Sequence, residues 1–217
     1  MVSEHRILQL TSSPLAEGQC TVTALNGSER LNGLFEFDVT LVAGEDPVDP
    51  EKLIGEDVAV TVKHADLERL LHGVVCEVNE VDPVGDDTYE YVVRIVPRLW
   101  LLGLCAHNRI FQEASAPDIV QQVVAESCDM PIQRDLNRDY PPREICVQFG
   151  ETDLDFVQRL LAEEGIAYYF KHDQGGCALV LCDSMAGLAD CDPLSYPYRE
   201  RNDGTWMTMV SRFKLGG

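Results

Sequence analysis

No pair of cysteines in this 217-residue chain is spaced as CxxC, which removes the ligand spacing that structural zinc sites and redox dithiols use. No apolar run approaches the roughly 18 residues that a helix needs to cross a bilayer. Basic side chains are scarce: 17 Lys and Arg stand against 37 Asp and Glu, a formal charge of −20. A field of that sign repels phosphate backbones and anionic membrane surfaces, so neither nucleic acid nor a membrane is expected as a partner. A GxSxG elbow is absent, and no glycine-rich phosphate loop follows a strand, so no cofactor is expected either.

What is present is an ordinary globular balance, 45% apolar and 25% charged. A chain of this size buries roughly 70% of its unfolded surface and folds without staples. The eight cysteines are diluted along the sequence and sit mostly within apolar strand patterns. The opening MVSEHRILQL is not a basic stretch leading into an apolar secretion core. Reduced thiols in a protein made in the cytoplasm are the expectation.

To about Pro97 the dominant period is two. In LFEFDVTLV, Phe35, Phe37, Val39 and Leu41 point one way and Glu36, Asp38 and Thr40 the other, the pattern of a half-buried antiparallel strand. CTVTAL, DVAVTVK, LLHGVVCEVNEV and YEYVVRIVP repeat it, and DPVGDDT punctuates the last two as a hairpin connection. Five or six such strands predict a small antiparallel β-barrel or sandwich.

The pattern changes at RLWLLGLCAHNRIFQ, residues 98–112. Ser115 caps a predicted helix with Pro117 in its first turn and a stripe of Ile119, Val120, Val123 and Val124, ending near Asp129. A polar connection, QRDLNRDYPPRE, leads to the strand ICVQF. Thr152 caps a second helix, with Asp155 placed to reach back and an apolar face of Leu154, Val157, Leu160 and Leu161 that Phe156 flanks. Gly165 stands where a left-handed residue stops it. The strands IAYYF and CALVLC then form a hairpin, which makes this stretch an α+β domain. The final GTWMTMVSRFKLGG opens a strand pattern that nothing follows, as though the chain were the front part of something longer.

Glu151, Asp153, Asp155, Glu163 and Glu164 invite a carboxylate-dependent hydrolase. The weightier reading is structural. Asp153 and Asp155 complement the dipole at a helix start, and Glu163 and Glu164 are expected to be exposed and solvated in the last turn. His172, Cys177, Cys182 and Cys191 could suggest zinc, but Cys177 and Cys182 are five apart and point to opposite faces of a strand. Buried thiols acting as small hydrophobes are expected instead. His72 and His107 lie in or near strands and read as partly buried structural imidazoles.

Several segments taken together resemble the N-terminal part of VgrG, the spike protein of the bacterial type VI secretion system, a family similar to the baseplate hubs of contractile-tailed phages. The resemblance rests on Gln148, Phe149, Gly150, Glu151, Thr152 and Asp153, followed by Phe156, Arg159, Glu164, Gly165 and Tyr168 to Phe170. Leu53-Ile54-Gly55, His72-Gly73, Pro97 to Leu102 with Trp100, Arg109-Ile110-Phe111 and Tyr140 to Glu144 reinforce it, from about residue 5 to residue 202.

That resemblance implies a hub that is not an enzyme. Gln148, Glu151, Thr152, Asp153, Phe156, Arg159, Gly165, Tyr169, Arg109, Phe111 and Trp100 would be structural motif residues, with no catalytic, cofactor or metal position to carry over. It implies a first barrel over residues 1–104, an inserted α+β domain over 105–200, and the incomplete start of a second barrel over 201–217. It also implies a homotrimer in the full-length protein, with a hexameric tube protein, baseplate components and effector or tip proteins as partners. Such a protein is assembled at the apparatus tip and then secreted or injected into a target cell. A phage or prophage tail hub is the alternative within the same architecture. In isolation, the chain is expected to be a monomer or a weak, edge-paired oligomer.

Overall fold

The computed structural model describes residues 8–64, 67–85 and 88–184. The alternating stretches form β1 (Leu8–Ser12), β2 (Cys20–Ser28), β3 (Glu36–Ala43), β4 (Asp57–His64), β5 (Leu67–Gly85) and β6 (Thr88–Val96). They join in one antiparallel sheet of order β1-β4-β5-β6-β3-β2. A single turn of helix, α1 (Pro50–Leu53), precedes β4 and drives Leu53 into the core.

The expected inward set is buried: Phe35, Phe37, Val39 and Leu41, joined by Val60, Tyr91, Val93 and Ile95. Gly73 on β5 is required by close packing, because a Cβ there would lie 2.6 Å from both Ile95 Cγ2 and the Val96 carbonyl oxygen. The sheet itself is open. β1 and β2 lie at its two ends, and some of their Cα atoms come within 8 Å of each other. Among the described residues no ladder joins those two strands.

A 3-10 helix (Arg98–Gly103) buries Leu99 and Leu102 and leads into β7 (Ala106–Ala114). Then follow α2 (Ala116–Ser127), β8 (Ile132–Asp135), β9 (Arg143–Thr152), α3 (Asp153–Glu164), β10 (Ala167–Asp173) and β11 (Gly176–Cys182). β7 and β9 make a two-stranded antiparallel ribbon, and β10-β11-β8 make a small mixed sheet.

The capping chemistry is as the sequence dictates. The Ser115 hydroxyl accepts from the Asp118 N–H, and Thr152 Oγ1 accepts from the Asp155 N–H at 3.0 Å. Gly165 closes α3 in the left-handed region at φ 64°.

Three details differ from the expectation. α2 stops at Ser127, two residues early, as the Cys128 and Asp129 N–H groups both turn back to the Val124 carbonyl. On α3 it is Phe156, stacked 5.6 Å from Phe111, that is fully buried, whereas Leu154 is half-exposed. β8 overlaps the start of the stretch read as a polar connection, Gln133 to Glu144. Ile132 is its one apolar residue, and its strand state comes from parallel pairing with β11 rather than from its own composition.

The two cores meet at a tight junction. Asn32 and Tyr168 exchange bonds: the Asn32 N–H donates to the Tyr168 carbonyl, and the Tyr168 N–H donates to Asn32 Oδ1, both at 2.9 Å. Phe35 packs edge-on against Phe170 at 5.1 Å, and both Phe170 and Cys177 touch each core. The expected second barrel, 201–217, and the end of the α+β stretch lie outside the described residues.

Candidate functional site

β7 and β9 are paired so that Arg109 faces Gln148 and Phe111 faces Cys146 on the inner side of the ribbon. The start of α3 follows β9 without a loop, which drops Asp153 beneath that side. Its carboxylate is 1% exposed and has four donors. Oδ1 accepts from Gln148 Nε2 at 2.8 Å and lies 2.9 Å from His107 Nδ1. Oδ2 accepts from the Ser127 hydroxyl at 2.8 Å and from Arg109 Nη2 at 3.0 Å. Burial alone would raise the Asp153 carboxyl; the bonds from Gln148, His107 and Ser127 and the Arg109 charge outweigh it and hold the group below its ordinary value.

A serine, a histidine and an aspartate thus sit together, yet in an order different from that of a catalytic triad. In a triad the imidazole stands between the hydroxyl and the carboxylate. Here the carboxylate is central, and Ser127 donates directly to it with no imidazole between the two. The carboxylate is a strut between α2, α3 and the ribbon. Sequence reasoning found Asp153, Gln148 and Arg109 but assigned Asp153 only to the helix dipole. His107 and Ser127 were missed as its partners, because their separations of 46 and 26 residues leave no local signal.

The remaining acids are engaged as well. Glu151 takes a two-point bond from Arg159, with Nη2 at 2.6 Å and Nε at 3.2 Å. Arg159 also reaches Glu163 at 2.8 Å and lies over the Phe156 ring. Asp155 accepts from the Thr152 hydroxyl at 2.7 Å. Glu163 is exposed, as expected, and Glu164 is half-buried; Arg143 reaches the two at 2.8 and 2.5 Å. Helix α3 has no cation of its own in its last turn. Arg143 from β9 supplies one, and Arg138 donates to the Glu164 carbonyl at 2.6 Å. The chain feature that sequence reasoning did not weigh is Asp183. It accepts from the N–H groups of Asn137 and Arg138 at 2.9 Å and from the Tyr140 hydroxyl at 3.0 Å, and these bonds hold it well below the usual carboxylate range.

Trp100 is half-buried in the 3-10 helix, and Tyr169 on β10 is half-buried opposite Val180. The zinc set does not assemble. His172 pairs with Cys177 at one end of the β10–β11 ladder and Cys182 with Ala167 at the other, while Cys191 lies outside the described residues. Among the described residues no three potential ligands converge. Burial pushes the Cys177 thiol up to about 12, as suits a small hydrophobe. A cavity of about 540 Å³ opens between the sheet and the α+β unit beside His72, Arg98, Met130 and Cys177, and none of the acids from Glu151 to Glu164 lines it. No helix among the described residues is long and apolar enough to cross a membrane.

Comparison with known proteins agrees with this framework. The type VI secretion system spike protein VgrG1c of Pseudomonas aeruginosa is 33% identical over 211 residues, 93% of this chain and 29% of its own length. The actin cross-linking toxin VgrG1 of Vibrio cholerae is 30% identical over 75% of this chain and 15% of its own length. The chain therefore spans less than a third of these curated relatives. Among solved structures, the E. coli c3393 protein is described as a type VI secretion component similar to T4 bacteriophage tail proteins gp27 and gp5. It matches with a TM-score of 0.75 at 28% identity, covering 88% of this chain and 52% of that one. Residues 28–215 match the phage tail baseplate hub (GPD) family, and the chain belongs to that family.

Proposed function

We propose that this chain is the head segment of a type VI secretion spike, a hub that works by shape and docking rather than by catalysis. The observation that carries the reading is the hub-family match across residues 28–215, with the similarity to VgrG spike proteins over most of the chain. The site geometry supports it, since the buried acid is spent on holding α2, α3 and the ribbon in register. In this reading residues 1–104 are a barrel-like unit, 105–200 the inserted α+β unit and 201–217 the start of a second barrel. The approach of β1 to β2 supports the first of these. The motif residues from Gln148 to Tyr169, with Arg109 and Phe111, act as the framework of the insert, and Trp100 stands just ahead of it.

The full-length protein would be a homotrimer seated on a hexameric tube protein and contacting baseplate components, with effector or tip proteins as cargo. It would be made in the bacterial cytoplasm, assembled at the apparatus tip and delivered outward. The test is deletion of the gene in its native bacterium, with export of the tube protein as the readout. Loss of export, restored by the full gene, is expected; unchanged export would overturn the reading. A prophage tail hub is the second reading, favoured by the phage description of the family. Sheath, tube and ATPase genes beside this one would decide for secretion, and capsid and tail genes for a phage.

A further inference from the structure

β5 outruns one of its neighbours where the sheet meets the α+β unit. β6 pairs with β5 only from Val74, opposite Val96, so among the described residues the stretch of β5 before Val74 has no ladder on that side. A side chain from β10 takes over there: the His72 backbone N–H donates to His172 Nδ1 at 3.0 Å. The His172 ring is enclosed by other rings, 5.2 Å from Phe35 and stacked 6.4 Å from His72 with 18° between the planes.

A neutral imidazole that accepts at Nδ1 carries its proton on Nε2. In His172 that nitrogen is buried without a hydrogen-bond partner, 3.8 Å from Glu29 Oε1, and the Glu29 carboxylate is already paired with Arg69. A second proton has only Nδ1 to go to, where it would face the His72 N–H, donor against donor. The bond and the charged ring therefore exclude each other. Charged and titratable groups surround the ring from each side: Glu29 just past β2, Arg69 and His72 on β5, Asp173 and Cys177 on the β10–β11 hairpin. Burial is the largest influence, Arg69 and His72 add to it, and together they outweigh Glu29 and Asp173 in favour of the neutral ring.

The neighbouring contacts do not respond to acid in this way. Asn32 and Tyr168 exchange bonds through backbone groups and a side-chain amide, and Phe35 meets Phe170 edge to face. The cavity of about 540 Å³ is lined by His72 and Gly73 of the sheet and by Gly175, Gly176 and Cys177 of the hairpin. Part of the hairpin thus meets the sheet across open space rather than packed side chains. We propose that the His72–His172 bond is an acid-released latch: protonation of His172 frees the β10–β11 hairpin from β5, while Asn32 and Tyr168 keep the two units joined. The inference goes beyond the hub reading and does not depend on it. In a secretion spike or a phage hub alike, the setting of the α+β unit against the sheet would follow the acidity of its surroundings.

The experiment is hydrogen exchange of single amides by NMR on this chain at about pH 6.5 and about pH 5, with rates corrected for the intrinsic pH dependence of exchange and repeated in low urea. A local opening exposes little surface and is insensitive to urea, whereas exchange through global unfolding is not. The His72 N–H should exchange more readily than the core amides of Val93 and Leu160, with little effect of urea. Opening takes up one proton, so its protection should fall about tenfold between the two pH values. His172→Gln keeps a side-chain acceptor that does not titrate, and the fall should disappear. His72→Gln leaves the donating N–H in place, and the fall should remain. A fall that survives in His172→Gln, or that vanishes only in His72→Gln, would overturn the latch. So would a parent in which the His72 N–H exchanges only together with the cores, or keeps its protection in acid, and that outcome needs no variant.

Discussion

In the six-stranded sheet the core is built from Phe37, Val39, Leu41, Tyr91, Val93 and Ile95, alternate residues of two paired strands. The core of the α+β unit is apolar too, but its edge admits Gln148 at 0% exposure and Asp153 at 1%. A pleated face with period-two apolar residues is satisfied by any neighbour of the same kind, and strand register follows from the ladder. A helix has no ladder to its neighbours. Docking α2 and α3 on one ribbon requires contacts that fit in a single way, and a buried carboxylate with four donors is such a contact. The surfaces differ too: Arg94 bridges Asp38 and Glu77 on the outside of the sheet, while Ile110, Ile145, Val147 and Phe149 stand exposed on the outside of the ribbon.

The largest test of this contrast is Asp153→Ala. Arg109 and Gln148 would lose their buried partner, and a loss of about 3–5 kcal/mol is expected for breaking a buried charge cluster from one side. Asp153→Asn keeps the shape and should cost less. Leu41→Ala in the sheet should cost about 2–5 kcal/mol through a cavity, with no rescue by any polar isostere. Urea denaturation measures all three, and an Asp153→Ala loss below about 1 kcal/mol would erase the distinction between the two cores.

At the junction, the His72 backbone N–H donates to His172 Nδ1 at 3.0 Å, and the imidazole side chain is 6% exposed. Burial lowers its pKa from 6.5 to about 4, with Arg69 and His72 adding to the effect and Glu29 and Asp173 opposing it. Between those two values the unfolded chain binds a proton that the folded chain does not, so stability falls as pH drops. The bond from His72 also needs an unprotonated Nδ1. The full change from 6.5 to about 4 corresponds to about 3 kcal/mol. In His172→Gln the part of the pH dependence between 6.5 and 4 should flatten; a slope identical to the parent would show that other groups carry it.

The smallest effect is expected at the helix cap. Thr152→Ala removes the acceptor for the Asp155 N–H and the hydroxyl that Asp155 itself binds. It should lower the melting midpoint by an amount equivalent to about 1 kcal/mol. Thr152→Ser should restore most of it, and equal losses in both variants would point to packing rather than the cap.

The strands of the first region, both caps and the Gly165 stop were legible because each is written in adjacent or alternating residues. Of the bonds that the acids at 151–155 make, the Thr152–Asp155 pair was legible. The helix dipole is a local argument, and it accounts for Asp155 better than for Asp153. β8 was not legible, since Ile132 to Asp135 gains its state from Leu179 to Cys182 across the small sheet.

The sequence alone determined the period of each segment, the ends of α3, the net charge and the motif set that resembles a spike hub. Tertiary structure decided which acids are buried, that Arg143 and Arg159 neutralise Glu151, Glu163 and Glu164, and that the outer side of the ribbon is left bare. The physical reason is range. Periodicity and capping act within a few residues and leave a trace in the string of letters. Desolvation and ion pairing depend on what arrives from 20 or 40 residues away, as Arg143 and His107 do, and one-dimensional spacing holds no record of that.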